Sequence, residues 1–340
     1  MAATQMPAPT RRPAHRTGLL ATISRHWADY LYILPALAVM LVVIAYPIYY
    51  TVYLSFFETP PSSPNWYFNG IENYTTILSD DTYIFWEATK NTVIWTVGST
   101  FFAFILGFAA ALLVHREFVM RGLVRGLLLV PWVISAVPAA YIWRWMYHSD
   151  YGLISGTLMQ IGAFINSEMT NGSGGRVARL VGINFTPIVL SPIIFLDSIN
   201  LALPSLVVVN VWKEFPFAMI MLLAGLQTVP SGLLRAARVD GAGAWQSFIN
   251  VTVPHLRGVI VITTILLFVG NLNSFTLPFI MTGGGPANSS MIWIVKIYLL
   301  AFTDLRYGLA SAFAVILFLM MLVLGYFYVR ALTDGERRTA

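Results

Sequence analysis

The sequence predicts an all-α protein that crosses a membrane six times. Three observations predict it: a composition too apolar for water, six separated apolar stretches of spanning length, and basic residues that alternate from one side to the other. Of 340 residues, 57% are hydrophobic and 10% charged, against roughly 45–50% and about 25% in an ordinary soluble domain. A soluble globule is excluded. With 14% aromatic residues the chain is also far from the composition of a disordered one. There is no cysteine, which excludes disulfide scaffolds, thiolate metal sites and thiol catalysis.

A bilayer core of about 30 Å needs about 20 apolar residues in a helix. Stretches that meet this lie at 30–57, 91–114, 122–147, 201–226, 258–281 and 308–330. Their apolar residues run around the whole helix, as lipid on one side and protein on the other require. Pro35, Pro47, Pro131 and Pro138 are expected to kink their helices. The stretch 184–200 is apolar enough to compete as a seventh span, but it carries Pro187, Pro192 and Asp197. It reads instead as an external segment lying at the membrane surface.

Orientation follows from the Lys/Arg bias. One side holds Arg11, Arg12, Arg16, Arg25, Arg116, Arg121, Arg125, Arg235, Arg238, Arg257, Arg330, Arg337 and Arg338. The other has Lys90, Arg176, Arg179, Lys296 and Arg306 among many carboxylates. Both termini are expected in the cytoplasm, with residues 1–28 and 332–340 as tails around a 29–331 membrane domain. The net charge is only +5, and the basic residues are strung between spans. That is a membrane pattern, not a nucleic-acid patch.

The 227–257 loop on the basic side is unusual in being patterned as helix. Pro230 and Ser231 make a helix start, and Leu233, Leu234, Ala237, Ala244, Trp245, Phe248 and Ile249 recur at helical spacing. Gly241 and Gly243 interrupt it and Pro254 is expected to end it. Two short amphipathic helices around a glycine corner would expose apolar knobs to a partner.

Arg235-Ala236-Ala237, then Gly241, then Val251-Thr252-Val253-Pro254 nine residues on, resembles the coupling motif of binding-protein-dependent ABC importer permeases. The departure is Arg235, where that family usually has Glu. Leu277 to Pro286, with Thr282-Gly283-Gly284-Gly285-Pro286 at its end, resembles the signature of the sugar class. Trp212 to Phe217, Leu223 to Gln227, and Tyr307-Gly308 with Ala310-Ser311-Ala312 extend the likeness over about 30–330, to the MalF-like half of carbohydrate importers.

The resemblance implies a six-helix permease of the MetI/MalF-like type in a bacterial inner membrane. Its implied partners are a second homologous permease, two ATP-binding cassette subunits, an extracytoplasmic solute-binding protein, a sugar-like solute and membrane lipid. It implies that Arg235, Ala236, Ala237, Asp240, Gly241, Ala242, Trp245 and Pro254 engage the ATPase. It carries solute contacts onto Asn210, Lys213, Glu214 and Phe217 in the fourth span and onto Asn271, Asn273 and Ser274 in the fifth. Together these offer amide and hydroxyl hydrogen bonds and an aromatic platform. Neighbouring side chains on a helix point about 100° apart, so Lys213 and Glu214 also suit pairing with other helices.

Other features limit the chemistry. The chain's lysines are Lys90, Lys213 and Lys296, none following a glycine, so no phosphate-cradling G-x-x-x-x-G-K-[ST] loop exists. No enzyme activity and no bound cofactor are expected, ATP belonging to a partner subunit. His15, His26, His115, His148 and His255 are scattered without metal spacing. Arg144, between Trp143 and Trp145, reads as a snorkelling anchor at the external end of the third span. Gly283 to Pro286 reads as a tight turn at a helix end. An ion-coupled secondary carrier would need a relay of intramembrane carboxylates, and Glu214 is the deep one. An intramembrane hydrolase would need a histidine or paired acids within the spans.

Because the native chain lacks cysteine, single-cysteine variants report its topology. In sealed right-side-out vesicles an impermeant maleimide is expected to label Glu168→Cys and to spare Arg238→Cys. Labelling in the reverse order would invert the topology.

Overall fold

A computed structural model describes residues 27–61, 65–171 and 194–337. The chain divides into two compact units, Met1–Tyr53 and Leu54–Ala340. In the first unit, α1 (Trp27–Met40) runs through a π turn (Leu41–Ala45) into α2 (Tyr46–Leu54). The π turn has a reason in the sequence. Pro47 would press its ring against the carbonyl four residues back, Val43, and the wider turn accommodates that position.

The second unit begins with a two-residue antiparallel ladder, β1 (Phe57–Glu58) on β2 (Tyr67–Phe68). Helices α3 (Glu72–Ser79), α4 (Phe85–His115), α5 (Arg121–Val133), α6 (Ala136–Met146) and α7 (Leu153–Asn171) follow. Then come α8 (Ala202–Gln227), α9 (Ser231–Val239), α10 (Ala244–Ser247), α11 (Val253–His255), α12 (Arg257–Leu272), α13 (Thr276–Met281), α14 (Trp293–Tyr298) and α15 (Tyr307–Arg337). Among the described residues four helices are long and apolar enough to span a bilayer, and up to six if each bent pair is one span.

Two spans expected as single helices are broken. The 122–147 stretch bends by 94° between α5 and α6, and the 258–281 stretch is interrupted between α12 and α13. The reason is the same in both. Pro138 lies in the first turn of α6 and would clash with Ile134, and Pro278 lies in the first turn of α13 and would clash with Ser274. Each helix stops at or before the threatened carbonyl and restarts where the missing proline N–H costs nothing.

Two further expectations are corrected. Pro254 does not end the loop helix but sits within α11; a π turn (Phe248–Thr252) covers its threatened carbonyl at Asn250, and the 71° bend falls between His255 and Arg257. The region 148–200, expected to be external, contains the 19-residue helix α7, whose pattern the sequence reading missed. Of the 184–200 segment, residues 184–193 lie outside the described residues and 194–200 form turns.

The core lies where α4 packs along α8. The buried face of α4 is a stripe of small residues, Ala103, Gly107, Ala110 and Ala111, continued by Thr92, Thr96, Ser99 and Thr100. Small residues let membrane helices approach closely. A Cβ on Gly107 would stand 2.5 Å from Ala218 Cβ and 2.7 Å from Phe215 O, so no side chain fits there. The opposite face of α4 exposes Val97, Phe101 and Ile105, as a lipid-facing surface would.

The ladder and α3 clasp the start of α15. Asn73 Nδ2 donates to Ser55 O and Phe57 O, both at 2.9 Å, and Gly308 N–H donates to Thr59 Oγ1 at 2.8 Å. Gly107→Val is expected to overpack the α4–α8 seam by about 1–3 kcal/mol and to lower the thermal midpoint of the detergent-solubilised chain. Gly126→Ala, with nothing within 4 Å of the added carbon, is the control expected not to lower it. Equal midpoints for both would show that the seam is loose.

Candidate functional site

The 227–257 loop folds as two short helices around a glycine corner. Helix α9 is stopped by Gly241, whose φ is +82°, a conformation that disfavours any residue with a Cβ. Gly241 N–H donates to Arg238 O (3.1 Å) and Ala242 N–H to Ala237 O (2.9 Å). These are the two bonds of a Schellman cap, and they explain the motif's spacing: Ala237 supplies the capped carbonyl and Gly241 the left-handed residue. The second helix is capped in turn, with Gly243 N–H donating to Gln246 Oε1 at 2.9 Å.

The corner leaves an apolar surface outside. Val239 is 87% and Trp245 72% exposed, and Leu233 and Ile249 are exposed beside them. Arg235, Ala236 and Asp240 are exposed as well, whereas Ala237 and Ala242 are half-buried against each other's turn. The loop is also tied to the spans. Phe248 packs on Phe108 of α4, ring centroids 5.6 Å apart, and on Trp245 at 5.7 Å. Leu256 is fully buried against the end of α8, where a Cβ on Gly225 would lie 2.8 Å from Leu256 Cδ2.

The structure brings some of the expected solute residues together and separates others. Asn210 of α8 and Asn271 of α12 are each 3% exposed, and Asn210 Nδ2 donates to Asn271 Oδ1 at 2.6 Å. Asn271 Nδ2 donates to Thr100 Oγ1 of α4 at 3.1 Å. The Asn271 carbonyl accepts from Trp95 Nε1 (2.9 Å) and from Ser274 N–H (3.1 Å). Three helices therefore meet in one buried hydrogen-bonded chain.

Lys213, Glu214 and Phe217 follow Asn210 by three, four and seven residues and so share its side of α8. Lys213 and Glu214 pair with each other, Nζ to Oε1 at 3.5 Å, with both side chains partly exposed. That is longer than the 2.7–2.9 Å of a strong charged hydrogen bond, so most of the ammonium's donor capacity stays available. Phe217 stacks on Trp132 of α5 at 6.3 Å. Asn273 stands apart: it is exposed, caps α12 through Val269 O (3.0 Å) and reaches Met321 Sδ of α15 at 3.7 Å. Ser274 lies half-buried in the break between α12 and α13.

Sequence reading missed the contribution of α4. Asn91, Thr92, Trp95, Thr96, Ser99 and Thr100 lie buried along one face of it. The signal was present: polar residues recurring every three to five positions within an apolar span. Thr89 and Thr92 accept from Trp293 Nε1 and Trp293 N–H, both at 2.9 Å, and Asn91 Nδ2 donates to Asn288 O at 3.1 Å. The segment that follows the Thr282 to Pro286 turn is thereby fastened to α4. The turn itself is held by Ser290 Oγ donating to Gly285 O at 2.6 Å and Thr282 Oγ1 donating to Pro278 O at 3.1 Å. This matches the tight turn expected there. Nearby, burial of Lys296 on α14 pushes its ammonium pKa down, with Asp304 opposing. Among the described residues no group of three or more His, Asp or Glu side chains is placed to hold a metal ion.

Comparison with known proteins adds the family. The chain is 33% identical to the sulfoquinovosyl glycerol transport system permease protein SmoG of Agrobacterium fabrum, over 89% of each chain. It is 31% identical to the trehalose/maltose transport system permease protein MalF of Thermococcus litoralis, over 88% of this chain and 92% of that one. With the trehalose transport system permease protein SugA of Mycobacterium tuberculosis it shares 32% identity over 88% and 87%. Its fold matches a chain in the crystal structure of a bacterial ABC transporter involved in the import of the acidic polysaccharide alginate. The TM-score is 0.70 at 21% identity, over 95% of this chain and 99% of that one. Residues 14–338 match the family described as binding-protein-dependent transport system inner membrane component, and the chain belongs to that family, as a multi-pass subunit of the inner membrane.

Proposed function

We propose that the chain forms half of the translocation path of an ATP-driven importer for a sugar-like solute and couples to its ATPase through the 227–257 loop. The observation that carries the coupling is the Schellman corner at Gly241, which presents an exposed apolar face while Phe248 and Leu256 anchor the loop to α4 and α8. A push on such a corner moves helices rather than a flexible loop. The solute class rests on the relatives, whose names specify sulfoquinovosyl glycerol, trehalose/maltose and trehalose. Asn210, Asn271, Lys213, Glu214, Phe217, Asn273 and Ser274 supply the polar and aromatic groups such a solute needs.

The partners in this reading are a second permease, two ATP-binding cassette subunits and an external solute-binding protein. Transport follows as alternating access: ATP-driven closure of the ATPases shifts the loops, and the path binds solute differently in its two conformations. An ion-coupled carrier working alone would leave the capped, outward-facing loop without a role.

Purification of the tagged chain in mild detergent is expected to recover a second permease and an ATPase in roughly 1:1:2 proportion by mass spectrometry. Recovery of the chain alone and still active would return the case to a secondary carrier. Gly241→Asp places a side chain at φ +82° and is expected to abolish uptake of labelled solute while the chain stays in the membrane. Retained uptake would disprove the coupling assignment. Asn271→Leu is expected to weaken uptake without loss of the ATPase from the complex, and unchanged kinetics would remove Asn271 from the solute path.

A further inference from the structure

We propose that a cavity at the C-terminal end of α6 is a second solute site, built to hold one hydroxylated six-membered ring. It rests on the importer reading and adds to it a place where solute pauses before reaching the α8–α12 region. The cavity measures about 150 Å³ and lies between the end of α6, residues 194–197 and Met281 at the end of α13. A cavity of about that size accepts a single six-membered ring.

Its lining is what distinguishes it from a packing void. Arg144, His148, Ser149 and Asp197 line it together with the apolar side chains of Phe195 and Met281. Arg144 is held in place by one bond, Nη1 to Ile280 O at 3.1 Å, which leaves the other donors of its fork. The snorkelling role expected for this arginine is therefore joined by a contact to α13. Asp197 is exposed and makes no hydrogen bond or ion pair among the described residues. His148 Nδ1 accepts from Asp150 N–H at 3.2 Å, and in the neutral ring this puts the proton on Nε2, making it a donor. Tyr147 and Phe195, ring centroids 4.8 Å apart, form an apolar wall.

A guanidinium, a carboxylate and an imidazole N–H around one ring-sized space match a sugar. Each hydroxyl both donates and accepts, and the C–H face of the ring suits an aromatic wall. A simple anion would meet Asp197 and a simple cation Arg144. The opposed charges favour a neutral polyol ring.

The test measures binding of radiolabelled methyl α-D-glucopyranoside to the complete transport complex in nanodiscs, with the binding protein omitted. Wild type is expected to bind it saturably, and Asp197→Asn to weaken that binding at least tenfold. Arg144→Gln is expected to do the same, but it also cuts the bond to Ile280, so Asp197→Asn decides. Equal affinity in wild type and Asp197→Asn, or no saturable binding in wild type, overturns the site. ATP hydrolysis stimulated by the loaded binding protein on the same discs separates the two readings. Stimulation without ring binding defeats the site alone, and loss of stimulation in wild type defeats the importer reading itself.

Discussion

The close approach of α4 to α8 fixes the positions of the polar side chains in the larger unit. In lipid two helices gain little by burying apolar surface against each other, so packing and interhelical hydrogen bonds must hold them. Gly107 against Ala218 lets the backbones of α4 and α8 meet, and two turns away on α4 Thr100 accepts from Asn271 of α12. Asn271 in turn holds Asn210, while its carbonyl is fixed by Trp95. A residue larger than glycine at 107 would push α4 and α8 apart, and with them the two helices that Asn271 bridges.

Proline places the breaks. The carbonyl four residues before Pro138 lies at the gap between α5 and α6, and the one before Pro278 at the gap between α12 and α13. Those before Pro47 and Pro254 lie in π turns. Pro216 and Pro131 are absorbed within α8 and α5, so the rule favours a break without compelling one. Irregular backbone at membrane depth is tolerated where protein or water covers it. The gap at Ser274 is covered in this way, its N–H bonded to the Asn271 carbonyl.

The asparagine pair carries a mechanistic consequence. Asn210 and Asn271 are satisfied by each other and by Thr100 in this conformation. A solute that bonds to them must replace those partners, because a buried amide left unpaired costs about 1–3 kcal/mol. Under the proposed function, solute binding to the pair would favour a conformation in which α8 and α12 have moved apart, and the Phe248 and Leu256 contacts would connect that movement to the 227–257 loop. Lys213 and Glu214 differ, since their loose pairing leaves them free to meet solute without a helix movement.

Most of the spans and the glycine corner at 241 were legible in the sequence because each depends on residues close together along the chain: hydropathy over about 20 residues, one left-handed position after a helix. The breaks at Ile134 and Ser274 were legible in principle, since a proline and the carbonyl it threatens are four residues apart. The partners of the α4 stripe and the cavity beside Arg144 were not. Thr100 meets Asn271 across 171 residues and Asn91 meets Asn288 across 197, and no local period marks such partners. The sequence by itself determined where most of the apolar helices lie. Only the tertiary structure decided which polar groups meet, because in an apolar medium that choice is made by how closely two helix backbones can approach.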